Sequence, residues 1–495
     1  MQNHIQVNNL YLIKQVLPFL KPYKKQLIFV LCTIPFIALF QGVQPFLLKN
    51  AIDFALKKTS ENIWLYPSLL FVAITLLFLI RSFQNYIVQT AGQSIISDIR
   101  KKLFTHLQTL SIDFFETNQT GKLLTRLTND IEALSETFSS GLVGGANDLF
   151  TLIGITGFML YIDWKITIVQ LSLIPILVIF TRLVEEFYRK ANAKSRQELS
   201  QINSLFQESL LGLVVIKIFN QTKQLANKFR GLNDKYIKEI DKTIAADSSF
   251  SALIELVGIL AIILVIATSL LFFKDISSGK LVAFISYSQM LFTPIRNLSE
   301  KFTIFQAGFT STERIVDLLD QAPSIQTHTT NKHNFQNTSI QFQDVSFQYN
   351  KDSEKVLKDI TFKLAEGESL GLVGQTGSGK STLIKLICRF YDPSEGSVHI
   401  DGINLKDVTP FDLRKEVLMI PQRSFLFSGT IKDNLILDKD ISDKKLNSLV
   451  EETGLGEMVK PLRNGLNTEL RERGMELSSG QKQLISLTRA IIQDP

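Results

Sequence analysis

Gly374-Gln375-Thr376-Gly377-Ser378-Gly379-Lys380-Ser381 is the stretch on which the reading of this chain turns. It matches the phosphate-binding loop G-x-x-x-x-G-K-[ST], and its surroundings fit. Apolar residues over 369–373 predict a strand running into it, and Leu383, Ile384, Leu386 and Ile387 predict a helix leaving it. Backbone N–H groups and the positive end of that helix then converge on phosphate. The glycines let the main chain approach closely. Lys380 brings charge to β- and γ-phosphates, the Ser381 hydroxyl is placed to ligate Mg²⁺, and Thr382 completes the cradle. A chance glycine-rich turn accounts for the residues but not for a strand before them and a helix after.

Outward from the loop, 339–349 alternates Ile340 and Phe342, then Val345, Phe347 and Tyr349, as a half-buried strand does. Residues 358–364 read as a further strand and 417–420 as a short apolar one, so 339–495 is expected to be an α/β domain of the P-loop NTPase kind. Residues 320–338 hold Gln, Thr, Asn and His with Pro323 and read as a linker. Before it, apolar stretches near 27–48, 64–88, 138–162, 166–184, 249–273 and 281–304 could each cross about 30 Å of hydrocarbon as a helix of roughly 20 residues. The expectation is an all-α membrane domain of six helices over 27–319, preceded by a short segment, 1–26. The composition agrees: 45% hydrophobic residues and 36 Phe beside 20% charged residues suit neither a wholly soluble nor a wholly membrane chain.

Charge sets the orientation. A net +6 could suit nucleic acid, but the cations gather beside apolar stretches, as Lys21, Lys24 and Lys25 do before Leu27. Positive-inside placement accounts for this, and no nucleic-acid partner is expected. The long links 91–137 and 185–248 carry Arg100, Lys101, Lys102, Lys122 and Arg126, and Arg189, Lys190, Lys194, Arg196, Lys217, Lys228 and Arg230. They are expected in the cytoplasm with the N-terminus and the α/β domain. Both are helical by pattern, so about 20 helical residues beyond the lipid would extend roughly 30 Å. Cys32 and Cys388 lie far apart in the sequence and indicate neither a disulfide framework nor a metal cluster.

With these residues in place, the chain resembles the ATP-binding-cassette exporters. Gln422, in Met419-Ile420-Pro421-Gln422, looks like the family's Q-loop glutamine, which contacts Mg²⁺ and the attacking water. Tyr349 is similar to the aromatic residue that stacks on adenine. Leu477-Ser478-Ser479-Gly480-Gln481 resembles the signature Leu-Ser-Gly-Gly-Gln, with Ser479 where the family has Gly; a helix over 482–492 follows. A helix-capping serine would explain Ser478 alone. Glu472-Arg473-Gly474 resembles the exporters' cross-talk segment. Phe114-Phe115-Glu116, leading to Gly121, Leu124, Arg126, Leu127 and Asp130, resembles the first coupling segment, and Ile216-Lys217-Ile218-Phe219-Asn220 the second. The second departs from the family at Thr222 and Lys223, where acids are usual.

The resemblance implies a half-transporter in the plasma (inner) membrane, using ATP and Mg²⁺. A signature acts on ATP held by another copy, so the implied partner is a second half-transporter chain, identical or related, with membrane lipids and a small hydrophobic substrate as further partners. A nucleotide-gated channel or a regulatory, hydrolysis-deficient subunit is the rival class. The family continues past Arg489-Ala490-Ile491-Ile492-Gln493-Asp494-Pro495 into a strand ending Asp-Glu, and later a switch histidine. The expectation is therefore a partial ATP-binding domain, incomplete at the C-terminus, with its general base beyond Pro495, poor ATP binding and little hydrolysis. The strand 369–373 should then lack a neighbour. Two acids, Asp148 and Glu255, fall in apolar stretches; water and neighbouring helices are the expected partners, a cavity for cations the alternative.

Overall fold

A computed structural model of the protein describes residues 17–56, 64–272, 277–325, 335, 339–350, 353–422, 424–437 and 439–495. Residues 1–16 and most of the expected linker 320–338 lie outside the described residues. The chain divides into two compact units, Met1–Phe104 with Leu124–Leu319, and Thr105–Leu123 with Asp320–Pro495.

The first unit is helical. Its elements are α1 (Lys24–Leu56), α2 (Leu65–Thr109, whose end enters the second unit), α4 (Thr120–Ile162), α5 (Trp164–Leu171), α6 (Leu173–Leu211), α7 (Leu213–Ile218), α8 (Thr222–Phe272) and α9 (Ser278–Leu319). The short α3 (Ile112–Thr117) belongs to the second unit. At about 1.5 Å per residue, the 45 residues of α2 and 51 of α8 span roughly 68 and 77 Å, far more than a bilayer core, as the expected extensions require. α8 packs along α6 as an antiparallel hairpin, and α9 packs on α1 and α4.

The six expected stretches all fall on helices, but not all as single spans. Among the described residues three helices are long and apolar enough to cross a membrane: Leu17–Leu56, Leu65–Thr109 and Thr120–Ile162. The fourth stretch lies on α5 and the start of α6, which meet at Ser172, and the apolar helix described there is Trp164–Ile176. The fifth lies within the unbroken α8, where the apolar helix described is Glu255–Ser269, and the sixth lies on α9 where Arg296 and Lys301 dilute its apolarity.

Side chains sort as they do in lipid. The core is apolar, with Ile155, Met159, Ile166, Val265, Phe284, Tyr287 and Leu291 in one cluster. Yet the surface is apolar as well: Phe71 and Phe78 of α2 are exposed, and Trp64 and Tyr161 are each 78% exposed. Such a surface is tolerated where hydrocarbon replaces water. Several polar groups inside the bundle pair with one another. Gln84 Nε2 donates to Thr33 Oγ1 at 3.0 Å, Asn147 Nδ2 to Gln84 Oε1 at 3.0 Å, and Tyr287 OH to Gly42 O at 2.6 Å. α4 carries two π-helical stretches, Arg126–Asp130 and Thr137–Val143, where an extra residue per turn re-aims side chains. Asp130 is thereby buried against Ser311 Oγ and Arg314, each at 3.2 Å. Beside it Gly308 permits close approach, since a Cβ there would fall 1.9 Å from Thr137 Oγ1.

The second unit has two cores. A four-stranded antiparallel sheet, in the order β2 (Leu357–Leu364), β1 (Ile340–Phe347), β3 (Glu395–Ile400), β4 (Ile403–Asn404), packs with α10 (Lys380–Ile387) and α11 (Pro410–Glu416) around Phe342, Val345, Leu386, Val398 and Leu413. A helical cluster follows: α12 (Ile431–Ile436), α13 (Asp443–Glu452), α14 (Leu455–Val459) and α15 (Ser479–Gln493), with the short pair β5 (Gly429–Thr430) and β6 (Glu469–Leu470), closed around Leu426, Ile431, Leu446, Leu455 and Ile485. Two expectations are corrected here. Neither 369–373 nor 417–420 forms a strand among the described residues, and Val373 is 98% exposed. A strand is a pairing, and no described strand lies alongside these runs to supply the ladder.

Candidate nucleotide-binding site

The loop 374–381 is shaped by two left-handed glycines, Gly377 at φ 88° and Gly379 at φ 89°; the latter caps the start of α10. Gly379 also sits tightly on β2, where a Cβ would lie 2.7 Å from Leu357 Cδ2. Lys380 turns back over the loop it follows: its Nζ donates to Gly374 O at 2.8 Å, to Gln375 O at 2.7 Å and to Ser378 Oγ at 3.3 Å. The ammonium is thus held on neutral acceptors at the mouth of the N-terminus of α10. A phosphate oxygen there offers it a charged acceptor, and charge-assisted bonds are about twice as strong. Residues 374–378 are exposed, so the amides of the loop are open to a ligand.

Ser381 follows on α10, exposed, with no hydrogen bond to its hydroxyl among the described residues. A hydroxyl is a hard oxygen donor that suits Mg²⁺, which keeps several waters and takes further oxygens from substrate phosphates. Thr382, also expected in the cradle, follows Ser381 on α10. It is buried, and its Oγ1 lies 3.0 Å from Tyr349 OH.

Tyr349 itself sits in an aromatic cluster. Its ring meets Phe347 edge-on at 4.9 Å and Tyr391 at 5.2 Å, and Lys385 Nζ stands 5.4 Å from its centroid. Lys385 in turn donates to both oxygens of Glu116, at 2.7 and 2.9 Å, and Tyr391 OH donates to Glu116 Oε2 at 2.8 Å. α3, carrying the expected first coupling segment, is therefore fastened to the edge of the tyrosine cluster. Burial raises the Glu116 carboxyl, but the hydrogen bonds from Lys385 and Tyr391 outweigh it and hold the group below its ordinary range. Burial, reinforced by Glu116, pushes the Tyr391 phenol well above its ordinary value. Lys385 and Tyr391 were not legible as site residues. Their partner lies 269 and 275 positions away, and a single lysine or tyrosine carries no local signal.

Gln422 is exposed, and its carbonyl accepts from Gln483 Nε2 on α15 at 3.4 Å; no hydrogen bond joins it to 374–381 among the described residues. The signature run lies at the start of α15. Ser478 Oγ accepts from Gln481 N at 3.3 Å while Gln481 Oε1 accepts from Ser478 N at 2.8 Å, a reciprocal capping box. Leu477 is half-buried, Ser479 and Gly480 are exposed, and a Cβ at Gly480 would meet nothing within 4 Å. The 15-residue helix begins at Ser479 rather than 482, so Ser479 replaces glycine at its first turn without disturbing the cap. Upstream, Glu472-Arg473-Gly474 forms a tight turn with Arg473 at φ 57°.

Comparison with known proteins places the chain in a family. Residues 27–295 match the ABC transporter transmembrane region family and residues 357–495 the ABC transporter family. The uncharacterized ABC transporter ATP-binding protein YknV of Bacillus subtilis is 32% identical over 97% of this chain and 81% of its own length. The putative multidrug export ATP-binding/permease protein YgaD of the same organism is 30% identical over 97% of this chain and 85% of its own. The ATP-dependent lipid A-core flippase of Desulfotalea psychrophila is 29% identical over 99% and 86%.

Proposed function

The chain belongs to the ABC transporters, and from that membership we propose that it is one protomer of an exporter driving a lipid, drug or other hydrophobic compound across the membrane with ATP. The observation that carries this is the loop 374–381: open amides, the N-terminus of α10 and the Lys380 ammonium converge where a triphosphate would lie. The names of the multidrug-export and lipid-flippase relatives point to the cargo class.

In this reading Gly374, Gln375, Thr376, Gly377, Ser378 and Gly379 wrap the phosphates with their amides, Lys380 neutralises β- and γ-oxygens, and Tyr349 offers its exposed ring to adenine. Thr382 positions Tyr349 through its hydroxyl. Ser381 and the Gln422 amide oxygen would hold Mg²⁺, which supplies charge neutralisation at the phosphates. Leu477 to Gln481 present the N-terminus of α15 to ATP held by a second half-transporter chain. The exposed apolar tip of α7 supports a second chain, since Val214, Val215, Ile218 and Phe219 are all open to solvent. Six membrane spans, with the N-terminus and ATP-binding domain on the cytoplasmic side of the inner membrane, complete the proposal. Closure of the paired domains on ATP is passed to the membrane helices through α3 and α7, and the pathway alternates.

ATP-driven accumulation of a lipophilic dye or fluorescent lipid in inside-out vesicles carrying the protein tests this. Accumulation that needs ATP and disappears in Lys380→Ala is expected. Accumulation indifferent to ATP, or to that substitution, contradicts it.

A further inference from the structure

The two acids of the apolar stretches have different surroundings. Asp148 accepts from Asn297 Nδ2 at 3.2 Å, so neighbouring helices satisfy it. Glu255 forms no hydrogen bond or ion pair among the described residues, and it lines a cavity of about 540 Å³ between α8 and α9. The α8 wall is Glu255, Gly258, Ile259 and Ile262, spaced i, i+3, i+4, i+7, which is one face of a helix. Phe292 and Arg296 stand on the α9 wall.

These helices run antiparallel from the short link between Phe272 and Ser278. Glu255 lies 17 residues before that link and Arg296 18 residues after it, so the two charges share one level (272 − 255 and 296 − 278). Nearer the link Ile259, Ile262 and Phe292 bring apolar surface, beside the polar Gln289 and Thr293 of α9. The cavity therefore has charged groups at one level and apolar surface, with uncharged polar groups among it, toward the link. Arg296 already has an interaction of its own, whereas the Glu255 carboxylate is exposed into the space. A carboxylate in an apolar helix is costly unless water or a cation reaches it, and such residues mark ligand pathways.

We propose that this cavity is a binding site for an amphiphilic organic cation, its charge set against Glu255 and its apolar groups against Ile259, Ile262 and Phe292. The proposal deepens the exporter reading and rests on it by naming the cargo as cationic. Gly258 leaves the room, since a Cβ there would meet nothing within 4 Å.

The test uses the protein in lipid nanodiscs and two lipophilic ions of nearly equal size, tetraphenylphosphonium and tetraphenylborate, each scored as saturable binding above empty nanodiscs. The parent is expected to bind the phosphonium saturably. Glu255→Gln, which keeps the shape, should weaken it about tenfold or more while leaving any borate binding unchanged. Gly258→Leu, which narrows the space, should weaken the phosphonium as well. The proposal is overturned by absent phosphonium binding in the parent, as when a second copy covers Glu255, by Glu255→Gln within about twofold of the parent, or by equal loss of both ions. MgATP binding on the same samples separates the two readings: ATP bound without phosphonium removes the cation site alone, while no ATP bound by the parent removes the exporter reading.

Discussion

Two short helices close the two helical loops of this chain, and they are finished in opposite ways. α3 (Ile112–Thr117) ends in Glu116, whose carboxylate is taken up by Lys385 and Tyr391 of its own ATP-binding unit. α7 (Leu213–Ile218) ends in an apolar cap, with Val214 70%, Ile218 72% and Phe219 67% exposed. One tip is satisfied within the chain by charge. The other is a hydrophobic surface with nothing described upon it, and such a surface in water calls for a partner from outside. The difference teaches that the tip of α3 is completed within the chain, whereas the tip of α7 is the one proposed to be completed by a second chain.

The comparison breaks most readily at α7. Val214→Asp with Ile218→Asp places charge where two apolar side chains would be buried. Each is worth about 1.5–3 kcal/mol, so self-association in nanodiscs or detergent, read by mass photometry, should fall by about a hundredfold or more. Unchanged association would show that the cap faces no partner. A smaller effect is expected at α3. The Glu116 side chain is 41% exposed and that of Lys385 22%, so solvent screens the pair and its worth is about 0.5–1 kcal/mol. Glu116→Gln should therefore speed amide exchange in 112–117 by about two- to fivefold, with α7 unaffected.

The smallest effect sharpens the same contrast through pH. The folded-state value of Glu116 is depressed, so its contribution is full above the ordinary glutamate value of 4.5 and is lost as pH falls through the depressed folded value. Exchange in 112–117, corrected for intrinsic rates, should be flat from about pH 5 to 8 and accelerate only below about 4.5. The apolar α7 tip should show no such step. Acceleration near neutrality would assign the contact to another group.

What the sequence disclosed follows the range of each interaction. The phosphate loop was legible because its glycines, Lys380 and Ser381 act through the backbone of one continuous segment. The helices were legible from apolar runs, although the junction of α5 and α6 at Ser172 was not. Strands β3 and β4 were missed because the alternation in β3 rests on two apolar residues only, Val398 and Ile400, and β4 is two residues long. Runs 369–373 and 417–420 were read as strands on composition, which records apolarity but not whether a neighbour is there to pair. The contact of the Thr382 hydroxyl with Tyr349 was not legible either, since the two lie 33 positions apart. Glu116 was placed in a coupling segment, but Lys385 and Tyr391 required the fold.

The most direct test of the whole account is a titration of MgATP onto the purified protein and its Lys380→Ala variant. Removing charge-assisted bonds worth about 1.5–3 kcal/mol should weaken binding by about tenfold to a hundredfold while Gly258→Leu leaves it unchanged. Equal affinity in parent and Lys380→Ala would contradict the claim that the loop 374–381 grips the nucleotide.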